Sequence, residues 1–555
     1  MSAFRRALSQ AQPPQTAPRR WVYVPYDQLT SEIGPLSEHA PDEVGIVLVE
    51  SAWKGRRRPY HKQKLALLLS NMRHFALEQA RRGVAVRYVH GDAPYHELLA
   101  PVIEDLGPLE VMRPAEFELR EDLAQLGGGI QELPHDGWLT DAALFDASQG
   151  KKKSWRMDAF YRAARRALDV MMDENAPEGG KFSFDADNRQ PWDGTPAAPT
   201  PPAFEPDVIT LEVVELVEAH FGEHPGALDP TAFPATQADA LALWKWAKAQ
   251  CLELFGPYED AMSTASRTAF HTLISQAVNL HRLLPRQVIE DVVAMDIPIN
   301  SKEGFVRQVL GWREFVHHVH ERTQGFRSLP APRANPAVRD HIGQARWGGD
   351  DTHSGDGRFA ANACPNAMDA TEPLPQAFWG EASGMFCLDH VVEGVMQAGY
   401  SHHIERLMVL GNIATLMDVD PRELTDWFWA SYVDAYDWVV EPNVLGMATF
   451  GLGDLFTTKP YIAGSNYIKK MSNYCDACAF HPSKTCPVAH MYWAYLARHE
   501  PELSQNFRMN LTMGSLRKRS DLKKGQDERV FALVQERLAA GQALTPEDVK
   551  AAQKG

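Results

Sequence analysis

The sequence is poor in cysteine, with six residues in a chain of 555, and it has no apolar run near the ~20 residues that span a bilayer. Its start, MSAFRRALSQAQPPQTAPRR, lacks the hydrophobic core of a secretory signal. So few cysteines exclude a disulfide scaffold and suit a reducing compartment. These absences predict a soluble, cytoplasmic protein without a membrane partner. Hydrophobic residues make up 44% of the chain, which is enough for several folded domains.

Positive charge is also scarce, because 56 lysines and arginines face 72 acidic residues and leave a net charge of −16. This balance opposes nucleic-acid binding, since affinity for phosphates comes from positive charge. Local basic clusters could still form a positive face on an acidic body. They lie at residues 54–58, 151–156, 162–166 and 517–524. Scattered solvated charge explains each of these clusters equally well.

The first part of the chain lacks a G-x-G-x-x-G motif, which argues against a standard dinucleotide site there. Its segments WVYVPYDQL, VGIVLVE, VAVRYVHG and LEVMRPAEF are nonetheless typical of β-strands, and HKQKLALLLSNMRHFALEQARRG is typical of a helix. This order predicts a doubly wound parallel-sheet α/β domain over residues 20–145. Ligands of such sheets bind at the carboxyl ends of the strands, so Glu50 is a candidate site residue.

The rest of the chain is predicted to be mainly helical. Residues 146–207 form a connector with one helix, because the segment DGTPAAPTPPAFEP is too rich in proline for regular structure. Residues 208–515 form an all-α domain, and residues 516–555 form a basic, helical tail. The expected helices of the all-α domain are 208–221, 237–254, 267–283, 285–294, 301–321, 387–400, 402–418 and 421–436. Residues 325–376 are rich in turn formers and are predicted to be a disordered surface insertion.

Four of the six cysteines have the spacing of metal ligands: Cys387, Cys475, Cys478 and Cys486. The C-x-x-C pair places two thiolates on one turn, and the other two cysteines can complete the shell. Zinc and a [4Fe-4S] cluster both fit this set. The three-cysteine run followed by proline favours the iron-sulfur cluster. Cys251 and Cys364 are predicted to be buried core residues.

Several motifs resemble the iron-sulfur bacterial cryptochrome and photolyase family, which includes prokaryotic (6-4) photolyases. They are HKQKLALLLSNMRHFA, PEGGKFSFDADNRQPW, FGPYEDAM, IPINSKEGFVRQVLGWREFV, GYSHHIERLMVLGN, DPRELTDWFWASYVDAYDWVVEPNVLGM and the CDAC…C run. The resemblance covers residues 20 to 515 and implies an α/β antenna domain, a helical FAD-binding domain and a [4Fe-4S] cluster. Two features depart from the family: a shorter gap between Cys478 and Cys486, and the insertion near residues 340–370.

The resemblance also implies a role for individual residues. His403, with its neighbour His402, would donate a proton to the substrate, and Trp427 and Trp379 would carry electrons. The residues implied in FAD binding are Tyr258, Gln308, Trp312, Arg313, Asp434, Glu441 and Asn443. Those implied at a lumazine-type antenna, 6,7-dimethyl-8-ribityllumazine, are Glu50 and Leu65, and those implied at a Mg²⁺ site are Asp185 and Asp260. Without the resemblance, each of these residues has an ordinary structural interpretation as a packing, capping or surface residue.

The implied function is light-driven repair of (6-4) pyrimidine photoproducts in UV-damaged DNA by a monomeric enzyme of the bacterial cytoplasm and nucleoid. One alternative is a cryptochrome-type blue-light receptor with the same cofactors, and another is a photolyase acting on cyclobutane pyrimidine dimers. A third is a zinc-containing DNA-binding module without redox chemistry. Phe428 follows Trp427 where the family has tyrosine, so Trp429 or Trp438 could replace it in the electron path.

Overall fold

The structure is a computed structural model that describes residues 2–12, 18, 20–151, 154–339 and 362–554. Its first part is built on five parallel strands in the spatial order β3-β2-β1-β4-β5. The strands are β1 (Arg20–Tyr23), β2 (Val44–Ser51), β3 (Ala85–Gly91), β4 (Leu109–Met112) and β5 (Ile130–Leu133). Val22 on the central strand pairs with Ile46 on one side and with Glu110 on the other. The predicted parallel-sheet α/β architecture is therefore confirmed.

Helices cover the sheet and lead into the second part of the chain. They are α1 (Ala3–Ala11), α2 (Pro35–Glu38), α3 (Ala52–Arg56), α4 (Lys62–Arg81), α5 (Tyr95–Leu106), α6 (Phe117–Ala124), α7 (Ala142–Gln149) and α8 (Met157–Ala167). The His61 side chain caps α4 by accepting a hydrogen bond from the Gln63 backbone N–H. Helix α4 is buried along nearly its whole length because it lies between the sheet and helix α9 (Val208–Phe221). A short hairpin, β6 (Met172–Asp173) and β7 (Ala176–Pro177), follows α8.

The second part is helical, as predicted. Its remaining helices are α10 (Gln237–Gln250), α11 (Leu252–Phe255), α12 (Ser275–Asn279), α13 (Pro285–Ala294), α14 (Ile299–Val306), α15 (Glu314–Thr323), α16 (Phe386–Ala398), α17 (Asn412–Leu416), α18 (Pro421–Ser431), α19 (Asp437–Val440), α20 (Ser465–Met471), α21 (Tyr474–Ala477), α22 (Pro487–Arg498), α23 (Glu500–Leu503), α24 (Asn510–Arg517), α25 (Asp521–Ala539) and α26 (Pro546–Lys554). Short 3₁₀ turns occur at Gly127–Gly129, Glu178–Gly180, Asp185–Asp187, Gln376–Trp379 and Phe507–Met509.

Three segments are π-helical: Arg307–Arg313, Glu405–Gly411 and Glu441–Ala448. Each segment lies inside a motif that carries predicted site residues. A π-helical turn leaves the regular hydrogen-bond ladder and is often found at functional sites. The helical part is thus irregular at the positions where the sequence motifs converge.

The predicted helix over residues 267–283 is wrong, since only Ser275–Asn279 is helical there. The backbone takes positive φ at Ala269 and Leu273, which breaks any continuous helix. Tertiary contacts hold this loop, because the Phe270 ring stacks on Tyr258 and the His271 ring stacks on His402. The helical periodicity of the sequence is therefore overridden by packing.

The prediction of a disordered surface insertion at 325–376 is wrong for the residues that the structure describes, since Ala363, Met368 and Leu374 are buried in the core. Within this segment, β8 (Ala337–Arg339) pairs with β9 (Asn362–Cys364) as an antiparallel two-stranded sheet. The central residues 340–361 lie outside the described part of the chain, as do Lys152 and Lys153 of one basic cluster. Both leftover cysteines, Cys251 and Cys364, are buried, as predicted.

Part of the proposed positive face turns inward. Arg58 of the 54–58 cluster is buried, pairs with Glu118 at 2.6 Å and stacks on the Trp429 ring at 3.6 Å. Arg165 of the 162–166 cluster is also fully buried. In the described part of the chain, no helix is both long enough and apolar enough to cross a lipid bilayer.

Candidate active site

Three imidazole rings meet at the start of the π-helical segment Glu405–Gly411. The ring of His402 is buried and stacks on the ring of His271, with centroids 4.6 Å apart. The centroid of the His403 ring lies 5.5 Å from that of the His271 ring, and 42% of the His403 side chain is exposed. Burial lowers the pKa of His271 and of His402 well below the ordinary value, so both rings are neutral. The site therefore pairs an accessible imidazole with two buried neutral ones.

Carboxylates and one arginine surround the accessible histidine. Asp260 Oδ1 lies 3.7 Å from His403 Nε2, and the Tyr467 hydroxyl donates to Asp260 over 3.5 Å. Arg189 forms an ion pair with Asp185 and lies 3.9 Å from Asp260. The structure thus brings both predicted Mg²⁺ ligands together, but with the Arg189 guanidinium between them. A cation bound here would have to displace the Arg189 guanidinium or bind beside it against electrostatic repulsion.

An ion pair between the half-buried Arg406 and the buried Asp434 lies at the start of the same π-helical segment. Arg406 donates two hydrogen bonds to Asp434, at 2.9 and 3.1 Å, and Ser275 donates to the same carboxylate at 2.7 Å. Burial alone would raise the pKa of Asp434, but Arg406 and Ser275 lower it below its ordinary value. Asp434 is therefore ionised and held in one orientation.

A second cation stands nearby with unused hydrogen-bonding capacity. The amide of Asn279 donates to the Asp434 carbonyl at 2.9 Å and accepts from Arg313 Nε at 3.5 Å. Burial lowers the pKa of Arg313 to about 10. Its Nη2 group has no hydrogen-bond partner among the described residues. A buried guanidinium with a spare donor is suited to an anionic group such as a phosphate.

Other predicted flavin residues are held by protein partners. Gln308 donates to Glu259 at 2.6 Å. Glu441 accepts from Arg422 at 2.6 Å, and its pKa falls to about 2 because Arg422 and then His320 outweigh the effect of burial. The Asn443 amide donates to the carbonyl of Val439 in its own helix. These side chains complete protein hydrogen bonds rather than point into open space.

The last two predicted flavin residues, Tyr258 and Trp312, lie in aromatic contacts. The Tyr258 ring stacks on Phe270 with centroids 5.2 Å apart, beside the buried Trp192. Trp312 is half-buried, and its ring meets Phe315 edge to face at 6.2 Å. Both residues therefore have a packing role in the structure as it stands.

The two predicted electron-transfer tryptophans are in contact. Trp427 on α18 is fully buried and meets the half-buried Trp379 edge to face, with centroids 6.4 Å apart. On its other side, Trp427 lies 6.0 Å from the Tyr432 ring, over which Arg406 stacks at 4.1 Å. A row of aromatic rings thus runs from near the surface to the Arg406–Asp434 ion pair.

The four predicted cluster cysteines face one another. Burial, and then the neighbouring thiols of Cys486, Cys478 and Cys475, raise the pKa of Cys387 well above its ordinary value. Such mutual repulsion of thiolates is relieved when they bind a cation. Tyr474, which precedes Cys475, connects the cysteines to the histidines. Its hydroxyl donates a short hydrogen bond to Glu405, and the Glu405 carboxylate lies 3.7 Å from His402 Nε2.

A cavity of about 340 Å³ opens at the carboxyl ends of the parallel strands, where ligands of such sheets bind. Both predicted antenna residues, Glu50 and Leu65, line it. Glu50 accepts two hydrogen bonds from Arg73, at 2.8 and 3.0 Å, and one from Tyr88. Trp429 closes the cavity from the helical part of the chain. Its volume and mainly apolar lining suit a small heterocyclic ligand.

Sequence reasoning missed several residues that shape these sites, namely His271, Arg189, Arg406 and Tyr432, and it considered Trp429 only as a substitute in the electron path, not as part of the cavity. The position of Arg406 in the GYSHHIERLMV motif is a usable signal, since it is one helical turn from His402 and His403. His271 and Arg189 lie in irregular segments, where no periodicity indicates which way a side chain points.

This combination of a parallel-sheet domain and a helical domain is the fold of photolyases and cryptochromes. The cryptochrome of Synechocystis sp. PCC6803 shares it with a TM-score of 0.52 at 13% identity, over 90% of this chain and 95% of that chain. A bacterial class III photolyase from Agrobacterium tumefaciens aligns over 99% of this chain and 100% of that chain, with a TM-score of 0.48 and 15% identity.

The sequence comparisons identify the family. Residues 22–233 match the family described as deoxyribodipyrimidine photo-lyase-related protein. A protein of Agrobacterium fabrum named (6-4) photolyase is 33% identical over 503 residues, which cover 87% of this chain and 92% of that protein. The chain belongs to the photolyase-related protein family.

Proposed function

We propose that this protein is a light-driven lyase that repairs (6-4) pyrimidine photoproducts in UV-damaged DNA. The observation that carries the proposal is the partly exposed His403, which lies between Asp260 and the buried His271 and His402. Repair of such a lesion requires a proton as well as an electron, and histidine is the side chain that titrates near neutrality. The relationship to a protein named (6-4) photolyase supports the same conclusion.

The residues around His403 have distinct roles in this proposal. His403 donates the proton, because its exposed face can reach a base that has been turned out of the helix. Asp260, at 3.7 Å, orients the imidazole. Arg189 offers a positive charge to the DNA backbone. If Mg²⁺ binds Asp185 and Asp260, the ion would present this positive charge to the DNA backbone in place of Arg189.

FAD fits the region around Arg406, Asp434 and Arg313. When bound and reduced, FAD supplies the excited electron that no side chain can provide. The spare Nη2 group of Arg313 suits the pyrophosphate, and the fixed carboxylate of Asp434 suits a polar edge of the cofactor. Trp379 and Trp427 would carry electrons from the surface toward this region, and Tyr432 adjoins their inner end.

The cysteines suit a [4Fe-4S] cluster better than a single zinc ion. A zinc tetrahedron with ~2.3 Å bonds needs sulfurs about 3.8 Å apart. Within the described part of the chain, the one group of three metal-ligating side chains with ligand atoms within 4.8 Å of one another consists of histidines, not cysteines. The wider spacing of the thiols supports a larger inorganic core. With four protein ligands the cluster has no open position, so its role is structural.

The cavity at the sheet edge is the proposed antenna site. A lumazine such as 6,7-dimethyl-8-ribityllumazine presents a flat heterocycle to Leu65 and Trp429 and a polar ribityl chain to the charged rim. Lys54 and Lys64 stand on the lining of this cavity, where Lys54 pairs with Glu118 and Lys64 donates to the backbone carbonyls of Trp429 and Ala435. Trp429 belongs to the same helix as Trp427, which brings the antenna close to the proposed electron path.

The decisive experiment is repair of an oligonucleotide that carries a (6-4) lesion under blue light. The purified protein is first shown by absorbance and iron analysis to contain flavin and cluster. We expect His403→Ala to lose repair by at least ~100-fold, in line with general-acid catalysis, while His39→Ala on the sheet domain stays active. Equal repair by His403→Ala and wild type would remove His403 from the mechanism.

A second candidate function is a cryptochrome-type blue-light receptor. The net charge of −16 and the inward-facing arginines of the 54–58 cluster favour it, because both weaken attraction to DNA. This function predicts flavin photoreduction without repair of (6-4) or cyclobutane lesions. Repair assays on both lesions therefore separate the two functions and also test the cyclobutane-dimer alternative.

A further inference from the structure

The imidazoles of His271, His402 and His403 lie close enough together to act as ligands of one metal ion. One nitrogen from each ring lies within 4.8 Å of the corresponding nitrogens of the other two. Among the residues that the structure describes, no other three metal-ligating side chains come this close. The group is also separate in chemistry from the cysteines, because it offers nitrogen donors and no thiolate.

Two of the three rings present an unused nitrogen in a buried position. His271 Nε2 and His402 Nδ1 are shielded from solvent and have no hydrogen-bond partner in the described residues. Buried polar atoms are almost always satisfied, so two unpaired nitrogens on neighbouring stacked rings call for an explanation. A bound ion that accepts both lone pairs supplies one.

The opposite nitrogen of His271 has a hydrogen-bond partner that sets its tautomer, and those of His402 and His403 lie near carboxylates. The His271 ring hydrogen-bonds to the backbone carbonyl of Glu259, which leaves Nε2 with the lone pair. His402 Nε2 lies 3.7 Å from Glu405, and His403 Nε2 lies 3.7 Å from Asp260. Metal-bound histidines characteristically have such carbonyl or carboxylate partners, which orient the ring and raise its basicity.

We propose that His271, His402 and His403 bind a divalent transition-metal ion, of which Zn²⁺ is the best match to three imidazoles. A three-histidine site leaves a fourth position for water or for a substrate oxygen. Zinc–nitrogen bonds of ~2.0–2.1 Å place the nitrogens about 3.3 Å apart. Nitrogens that lie within 4.8 Å of one another must therefore approach by up to about 1.5 Å, and the nearly parallel His271 and His402 rings must tilt toward a common point. The half-exposed His403 can make its part of this movement by rotating its side chain.

The site has a consequence that rests on the proposed function. A metal ion on His403 occupies the nitrogen lone pair that must carry the proton to the lesion. Bound metal and proton donation are then mutually exclusive. Zinc would inhibit repair reversibly, and a chelator would restore it.

The test is titration of the flavin- and cluster-containing protein with ZnCl₂ by calorimetry, followed by titration with CoCl₂ in the visible range. We expect one site per chain and a cobalt spectrum without the thiolate-to-metal charge transfer that cysteine ligands produce. His403→Ala, at an exposed position that does not endanger folding, and His271→Gln should each weaken binding by at least tenfold. His39→Ala, the matched control, should bind as wild type does.

Three results would overturn the proposal: no metal bound beyond the cluster, equal affinity in both triad variants, or a cobalt spectrum with thiolate character. Repair is measured separately with and without zinc. A protein that binds zinc at the triad but repairs no lesion in zinc-free buffer would refute the proposed function and leave the metal site standing. Zinc binding without inhibition would refute the role of His403 as proton donor.

Discussion

The indoles of Trp379 and Trp427 meet edge to face, with 6.4 Å between their centroids and 85° between their planes. The Trp427 N–H donates to the Phe378 carbonyl at 2.9 Å, which fixes the buried ring in place. The two rings therefore form a rigid contact between a fully buried position and a partly exposed one. Such a contact is what an electron path to a buried acceptor requires.

Replacing Trp427 with phenylalanine should slow photoreduction of the bound flavin by at least tenfold, because phenylalanine is much harder to oxidise. The change keeps an aromatic ring in the core, so flavin content should remain near that of the wild type. Flavin absorbance under continuous blue light with an external reductant gives the rate. Trp246→Phe on α10 is the control, and photoreduction at the wild-type rate in Trp427→Phe would contradict the path.

Replacing Asp434 with asparagine should lower both stability and flavin content. The change leaves the half-buried Arg406 without its charged partner. Loss of a partner from a buried pair typically costs about 3–5 kcal/mol, and the 22% exposure of Arg406 puts the expected cost at the lower end of this range. Thermal unfolding and the flavin-to-protein absorbance ratio measure the two effects. Asp158→Asn removes an exposed pair with Arg162 and should change stability by no more than ~0.5 kcal/mol. Equal losses in the two variants would show that Asp434 has no special role.

Replacing Cys475 with serine should remove iron from the protein, whereas replacing Cys251 with serine should not. Cys475 is one of the four mutually facing thiols, and Cys251 is buried on its own, where burial raises its pKa to about 12. Iron analysis and visible absorbance after anaerobic purification check the difference. Full iron content in Cys475→Ser, or zinc in place of iron in the wild type, would count against the cluster.

Asp27 should make the protein less stable as the pH rises from about 4 to about 7. Burial raises the pKa of its carboxyl to about 7, so the folded state holds a proton that the unfolded chain releases near pH 4. The contribution of Asp27 to the free energy of unfolding is fully present below the pKa of the unfolded state. It is lost as the pH rises through the pKa of the folded state, and the loss is at most about 4 kcal/mol. Asp27→Asn should flatten this part of the profile relative to wild type in denaturant titrations between pH 4 and 8. Parallel profiles would mean that Asp27 is ionised when folded.

Replacing Leu65 with tryptophan should fill the cavity at the sheet edge and exclude an antenna chromophore without affecting flavin. Leu65 lines the cavity, so a larger ring occupies the space that a lumazine would take. Chromatography of the released chromophores measures both contents. Leu241→Trp, at an exposed leucine, serves as control. Normal lumazine content in Leu65→Trp would place the antenna elsewhere.

Sequence reasoning identified the features that depend on local order. The buried strand Val44–Ser51 has a continuous apolar run, and helix Pro421–Ser431 has a clear N-terminal cap at Asp420. The predicted end of this helix at residue 436 is wrong, because Tyr432 takes an extended conformation and ends the helix at Ser431. The four cysteines have ligand spacing. Edge strand Ile130–Leu133 was missed because its residues are half-exposed and lack alternation.

The contacts across the molecule could not be predicted from local order. His271 lies in a segment whose helical pattern is overridden by stacking on His402, and Arg189 reaches Asp260 from a distant turn. Both contacts join residues that are far apart in the sequence, and a single sequence does not indicate which distant residues lie close together in space. The family resemblance suggested which residues matter but not which partners hold them.

Helix α18 carries Trp427 toward the aromatic row and Trp429 toward the sheet-edge cavity, two residues apart. If the proposals on electron supply and light harvesting hold, excitation energy and reducing equivalents reach the flavin through the same eleven-residue rod. Any distortion of this helix would weaken energy transfer from the antenna and electron transfer to the flavin at the same time, so neither process can be changed without the other.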